Sequence, residues 1–259
     1  MKIVENLKSN MNRLVINTAN DELEIVLSIG DNVFFKSEKS KLHHNETMLP
    51  LLDELLRIHK IKLKDIDQLG VVVGPGSFTG IRVGIATIKA FRDSLGIDAK
   101  GINNLDYLYY LAKSQNDKID TVAIKGSRDS YFVARFINGV LYKYERNLSL
   151  EELKQITKGK EIASFTLDDD IKSFAVKFDP KILLKCLDES TDRNLIPVYY
   201  QLSQAENEKL KKKSLDIVSP TVEELDILSK IEKASIKYNS LELKDFLKMY
   251  NDSNYQLRV

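Results

Sequence analysis

The chain has 259 residues, with 39 Lys and Arg against 38 Asp and Glu, three His, one Cys and no Trp. That length gives one large domain or two small ones, with enough chain for a real core, and a formal net charge of +1 argues against a surface built mainly to hold a phosphate backbone. The single cysteine, Cys186, rules out an internal disulfide and a thiolate-rich zinc site, and its scarcity fits a cytoplasmic protein.

No apolar run approaches the ~20 residues of a spanning helix. The polar start, Met1 to Asn12, lacks the apolar block of a signal peptide, so neither a membrane segment nor secretion is expected.

In chain order, Leu14-Val15-Ile16-Asn17-Thr18 predicts a short buried strand. Leu23 to Ile29 alternates, with Leu23, Ile25 and Leu27 on one side, and predicts a half-buried strand. After the turn Gly30-Asp31-Asn32, Val33 to Lys36 predicts a third strand, and the short loops make the three antiparallel neighbours.

A helix follows to about Lys60, with Asn45 as a candidate N-cap, although Pro50 argues for a start nearer Met48 or Leu49. Its apolar positions are 48, 49, 51, 52, 55, 56 and 58, a wider stripe than one core-facing seam needs. That width fits a fully buried helix, or one with a face on its own sheet and another on a partner.

Leu69 to Val73 reads as a strand covered on both faces. A glycine-rich turn opens a helix from about Thr79 to Leu95, and Leu105 to Ala112 predicts another. Thr121–Ile124, Tyr131–Phe136 and Val140–Tyr144 read as strands, the last two a hairpin about Asn138-Gly139. Ser149-Leu150-Glu151-Glu152 is a capping box. Residues 161–205 are weakly patterned, Lys209 to Lys213 reads as a linker, and amphipathic helical segments follow. No internal repeat is visible in the sequence. Three antiparallel strands, then helix, strand, helix, predict an α/β fold opening like a ribonuclease H sheet.

Gly74-Pro75-Gly76-Ser77-Phe78-Thr79-Gly80-Ile81-Arg82-Val83-Gly84 is the most informative stretch. Glycines between strand and helix allow a phosphate cradle or a tight junction. A Walker A loop needs Lys after its second glycine, whereas Gly80 is followed by Ile81 and Arg82. The dinucleotide fingerprint needs its third glycine where Thr79 stands, and an acid closing a second strand, which neither Asp93 nor Asp98 supplies. The tight junction is therefore the reading the residues favour.

Gly74 to Thr87 resembles the signature of the TsaB family, also called YeaZ. Ile16-Asn17-Thr18-Ala19, His44 to Leu52, Pro197-Val198-Tyr199-Tyr200 and Ser203-Gln204-Ala205-Glu206 are similar to further family segments, so the resemblance covers about Arg13 to Glu206. It implies an actin/Hsp70/sugar-kinase fold of two ribonuclease H-like lobes, the second reduced: lobes at 13–115 and 116–206, with an extension at 207–259.

The resemblance also implies a non-catalytic subunit in the synthesis of threonylcarbamoyladenosine in tRNA. Such a subunit pairs with TsaD, which modifies N6 of adenosine 37 in tRNAs reading ANN codons, and a TsaE-like ATPase binds the pair. No metal or cofactor of its own is implied, since ATP and threonylcarbamoyl-AMP belong to the partner proteins. tRNA would be met mainly through the complex, and homodimers are also possible for such proteins. The partner helices map to about Thr47–His59 and Thr79–Leu95. The interface candidates are Met48, Leu52, Leu55, Leu56, Arg82, Ile85, Ile88, Lys89 and Phe91, with Gly74, Pro75, Gly76, Ser77, Phe78, Thr79 and Gly80 as a structural loop. The alternative is a kinase-like phosphotransferase holding ATP on Gly74–Gly80.

Three departures stand out. Asn17 replaces the family's usual aspartate, removing a charge that ATP-using relatives employ. Lys125, Ser127 and Ser130 replace positions that are usually charged in the family, beside the strand that ends near Ile124. Residues 216–259 faintly resemble the start of a RimI-type acetyltransferase without its glycine-rich pyrophosphate loop. They read as a truncated segment of that kind or as a packed amphipathic extension, and no acetyltransferase activity is expected. His43, His44 and His59 lack zinc spacing, and Asp168-Asp169-Asp170 reads as a solvated loop.

Overall fold

The structure, a computed structural model, describes residues 11–39, 44–126, 130–166 and 171–198. The first sheet has strand order β3-β2-β1-β4-β5, from β1 (Asn12–Asn17), β2 (Glu22–Ile29), β3 (Asn32–Lys39), β4 (Gln68–Gly74) and β5 (Asp98–Asn103). β3, β2 and β1 are antiparallel, while β4 and β5 run parallel to β1. Between them lie α1 (His44–Ile58) and α2 (Phe78–Leu95), and α3 (Asn104–Gln115) follows β5.

The second sheet repeats the plan. β6 (Thr121–Lys125), β7 (Ser130–Ile137) and β8 (Val140–Ser149) are antiparallel, and β9 (Ile162–Ser164) and β10 (Ser173–Ala175) run parallel to β6, giving the order β8-β7-β6-β9-β10. The two parallel strands have three residues each, against seven and six in β4 and β5, so the second lobe is the smaller version. α4 (Leu150–Thr157) opens with the expected capping box of Ser149 and Glu152. Asn138 and Gly139 turn the β7–β8 hairpin, both at positive φ.

Three expectations change. The first concerns Pro50, which lies inside α1, so that the helix starts at His44 and not near Met48. The second concerns β2, which is buried on both faces: Leu23 to Leu27 and Ser28 are all at 4% exposure or less, Glu24 included. The cause is α5 (Pro180–Glu189), which falls in the weakly patterned stretch and packs on β1, β2, β3 and β5. On β3, Lys36 reaches Glu54 of α1, whereas its neighbour Phe35 meets Phe178 just before α5. Successive strand residues point to opposite faces, so α1 and α5 cover opposite sides of the sheet. α5, which the sequence assigns to the second lobe, thus belongs to the first core.

The third is β5, a strand the sequence did not announce because Asp98, Lys100 and Asn103 interrupt its apolar positions. Its outer edge is covered by the chain after α5: Gly101 and Asp192 form an antiparallel bridge, and Ser190 bonds the Gly101 carbonyl.

α3 joins the lobes. Tyr107 and Leu111 belong to the first core; Leu105, Leu108, Tyr109 and Ala112 belong to the second. The linker at 209–213, the later helical segments, His43, Ser127 and Asp168 to Asp170 lie outside the described residues.

Candidate functional site: the glycine junction and its helices

The glycine block lies where β4 enters α2. Ser77 caps α2 by accepting from the Gly80 N–H, and Gly96 ends the helix in the left-handed conformation. The Gly74–Pro75 peptide is cis, and Gly74 has φ +108°, a conformation that favours glycine.

The block meets the chain after β1. The Ser77 N–H donates to the Ala19 carbonyl at 2.7 Å, and Thr18 Oγ1 donates to the Gly80 carbonyl at 2.6 Å. A Cβ on Gly76 would sit 2.2 Å from the Ala19 oxygen, one on Gly80 1.9 Å from the Thr18 oxygen, and one on Gly84 2.4 Å from Thr18 Oγ1. On the other side, the Val198 N–H donates to the Val73 carbonyl, and the Val198 oxygen would be 2.9 Å from a Cβ on Gly74. The glycines are therefore a packing face. They let the chain's own backbone approach closer than any side chain would allow.

Asn17, at the end of β1, is wholly buried. Its Nδ2 donates to Glu24 Oε2 at 2.7 Å and its Oδ1 accepts from the Ala19 N–H at 3.0 Å. Tyr107 donates to the same Glu24 oxygen at 3.2 Å. Burial pushes the Glu24 carboxyl up to about 8, against the pull of these two hydrogen bonds and with a further push from the Glu22 charge. The same burial raises the Tyr107 hydroxyl well above its ordinary value. Asn104, also wholly buried, donates to Pro75 O at 2.7 Å and to Asn20 Oδ1 at 2.8 Å, tying the first turn of α3 to the glycine loop. Sequence reasoning missed Glu24, because strict alternation put it on an open face; Asn17 opposite it in the β1–β2 register was the available signal.

The interface candidates divide. Met48, Leu52, Leu55, Ile85 and Ile88 are at 4% exposure or less in the first core, so they hold α1 and α2 onto the sheet and are not surface for a partner. Leu56 and Phe91 are half-buried against that core. Arg82 is exposed, its guanidinium 3.8 Å from the Phe78 ring centroid, and Lys89 is half-exposed. The α1 stripe is as wide as the sequence indicates. At about 100° per residue, its buried centre is Met48, Leu52 and Leu55, with Leu49 and Leu56 on one flank and Leu51 and Ile58 on the other. Leu49 and Ile58 stand 50% and 52% exposed.

Cys186 is buried in the first core, with its thiol pushed up to about 12 by burial. Among the described residues no group of His, Cys, Asp and Glu is arranged to hold a metal ion, and no helix is long and apolar enough to cross a membrane. Lys125 is exposed with its ammonium 5.8 Å from the Tyr131 ring, whereas Ser130 is buried.

The family model for TsaD, tRNA N6-adenosine threonylcarbamoyltransferase, matches residues 36–159. The chain is similar to the tRNA threonylcarbamoyladenosine biosynthesis protein TsaB of Buchnera aphidicola subsp. Schizaphis graminum, 29% identical over 146 residues, covering 55% of this chain and 70% of that one. It is similar to TsaB of Bacillus subtilis, 31% identical over 99 residues, covering 38% of this chain and 43% of that one. A crystal structure of a YeaZ-like protein from Pseudomonas aeruginosa matches with a TM-score of 0.61 at 18% identity, covering 74% of this chain and 100% of that one. That likeness carries the fold, two mixed sheets flanked by helices. The glycine block, the twice-built sheet and these similarities agree: the chain is similar to the TsaB (YeaZ) proteins.

Proposed function

We propose that this chain is a partner subunit of tRNA threonylcarbamoyladenosine biosynthesis, without a catalytic site of its own, that binds a TsaD-type transferase through the outer flanks of α1 and α2. The observation that carries this reading is the half-cylinder of apolar residues on α1. Its centre is used by the core, and its flank residues Leu49 and Ile58 remain at about half exposure, more apolar surface than a helix packed on one sheet needs. α2 adds Arg82, Lys89 and the exposed Ala86 and Ala90. The matched TsaD model supports the partner's identity, since two chains of related fold can meet through the same helices. A TsaE-like ATPase, contact with tRNA through the assembled complex and a cytoplasmic location complete the proposal.

The kinase-like alternative is disfavoured by the same structure. Ala19, Thr18 and Val198 occupy the approach to the glycine loop, and Asn17 is committed to Glu24.

The test is tRNA nucleoside mass analysis after depletion of this protein, with rescue by wild type and by Leu49→Glu. Loss of threonylcarbamoyladenosine on depletion, restored by wild type and not by a folded Leu49→Glu protein, is the expected result. Unchanged tRNA on depletion overturns the pathway. Full rescue by Leu49→Glu overturns the surface. Tight binding of Mg-ATP by the isolated chain in calorimetry would favour the kinase reading.

A further inference from the structure

We propose that Asn17, Glu24 and Tyr107 form a proton-dependent latch that fastens the lobe-joining helix α3 to the strand pair beneath the glycine loop, and that the latch loosens when Glu24 loses its proton. The parts come from three elements: Asn17 from β1, Glu24 from β2 and Tyr107 from α3.

The carboxyl is held by two uncharged donors and shut away from water, and it is the burial that opposes its charge. Asn17 Nδ2 and the Tyr107 hydroxyl both donate to Glu24 Oε2, at 2.7 and 3.2 Å. A carboxyl oxygen has two lone pairs, and the two donors fill those of Oε2. Asn17 is fixed in this orientation because its Oδ1 accepts from the Ala19 N–H. The carboxyl is 4% exposed, Asn17 and Tyr107 not at all.

The groups acting on Glu24 from other elements, Asn17 and Tyr107, are polar and uncharged. Glu22 on its own strand adds a like charge. Beyond Tyr107 lie Cys186 on α5 and Asp179 at its N-cap, which also oppose negative charge there. Among the described residues, an ionised Glu24 therefore has hydrogen bonds but no counter-charge acting on it. Burial holds its proton to about pH 8, within the range a cell's interior approaches. Relief comes from water, and water reaches the carboxylate when Tyr107 and its turn of α3 draw away from β2. Asn104 holds the preceding turn to Pro75 and Asn20 through groups that do not titrate there, so the loosening is confined to the body of α3.

The latch also accounts for the departure at residue 17. A carboxylate stands on β2 and its amide partner on β1, directly paired in the ladder. A second acid at 17 would place two carboxyl groups against each other in a buried site.

The experiment is hydrogen exchange of the full chain from pH 6 to 9.5, read by mass spectrometry on peptides of α3 and β2 and corrected for intrinsic base catalysis. Wild type is expected to lose protection in α3 about tenfold between pH 6 and pH 7 and to level off above about pH 8, with peptides of β4 unchanged. Glu24→Gln is expected to stay within twofold over the same range. Tyr107→Phe, which keeps the ring and removes the donor, should raise α3 exchange already at pH 7. A wild-type profile that is flat after correction overturns the proposal. So does a Glu24→Gln profile that follows wild type, or a loss of protection that is uniform over the chain. Should Glu24→Gln fail to fold, the wild-type and Tyr107→Phe profiles decide on the same terms.

Discussion

Thr18 Oγ1 donates to the Gly80 carbonyl at 2.6 Å, and the Thr18 carbonyl oxygen lies where a Cβ on Gly80 would have to go. One residue thus both bonds the first turn of α2 and forbids it a side chain. The glycine motif sets how closely α2 approaches the sheet, and through that it sets where Arg82 and Lys89 stand.

Gly80→Ala should therefore destabilise by about 3 kcal/mol or more, since the clash is with backbone that cannot rotate away. Gly96→Ala is the control. It has open space around its Cβ position but sits at φ +68°, so it should cost only about 1 kcal/mol. Urea unfolding of the two variants measures both. Equal losses would mean that backbone conformation, not close approach, explains the motif.

The two kinds of leucine on α1 separate stability from partner binding. Leu55→Glu buries a charge at a position 2% exposed and should unfold the chain or cost about 4 kcal/mol. Leu49→Glu, at a position half exposed, should change stability by no more than about 0.5 kcal/mol while abolishing co-purification with a TsaD-type transferase. Thermal melts beside pull-down assays check both outcomes.

Glu24 gives stability a pH dependence of definite sign. Its carboxyl is raised from 4.5 to about 8, so the folded chain binds more protons than the unfolded one between these values. Its contribution is complete below pH 4.5, falls by up to about 1.4 kcal/mol per pH unit as pH rises, and levels off above about 8. Glu24→Gln should lose that slope and be the more stable protein at pH 8.5, by an amount on the order of a few kcal/mol. Denaturant midpoints at pH 5.5, 7 and 8.5 measure it.

Asn17→Asp should destabilise this chain. It replaces the Nδ2 donor 2.7 Å from Glu24 Oε2 with an acceptor, and two buried acids must then share a proton. The double variant Asn17→Asp with Glu24→Gln should recover much of the loss, because a donor again faces an acceptor. A melting temperature for Asn17→Asp at or above wild type would refute the pairing.

Much of both lobes was legible in the sequence because the signals are local. Ser77 and Gly96 bound α2, Asn138-Gly139 turns the hairpin, and the Ser149–Glu152 box opens α4. Each depends on residues within one or two turns of chain. β5 and α5 were not legible. Their burial comes from distant segments: α5 approaches β4 through Gly70, whose Cβ position is 2.8 Å from Leu187 Cδ1, and Asp192 covers Gly101. No short window contains both partners.

The sequence by itself determined where the chain turns, which helices are amphipathic, and that the glycine block is no Walker loop. It also determined that α1 carries more apolar surface than one seam requires. Only the tertiary structure decided which of those apolar residues the protein keeps for its own core. It showed the sheet built twice on one plan, as the resemblance implies and no sequence repeat announces, and it alone disclosed that Asn17 and Glu24 form a buried pair. Local rules fix a residue's conformation through its near neighbours along the chain. Burial and protonation are set by what packs across from it, and for Glu24 that is Tyr107, 83 residues away.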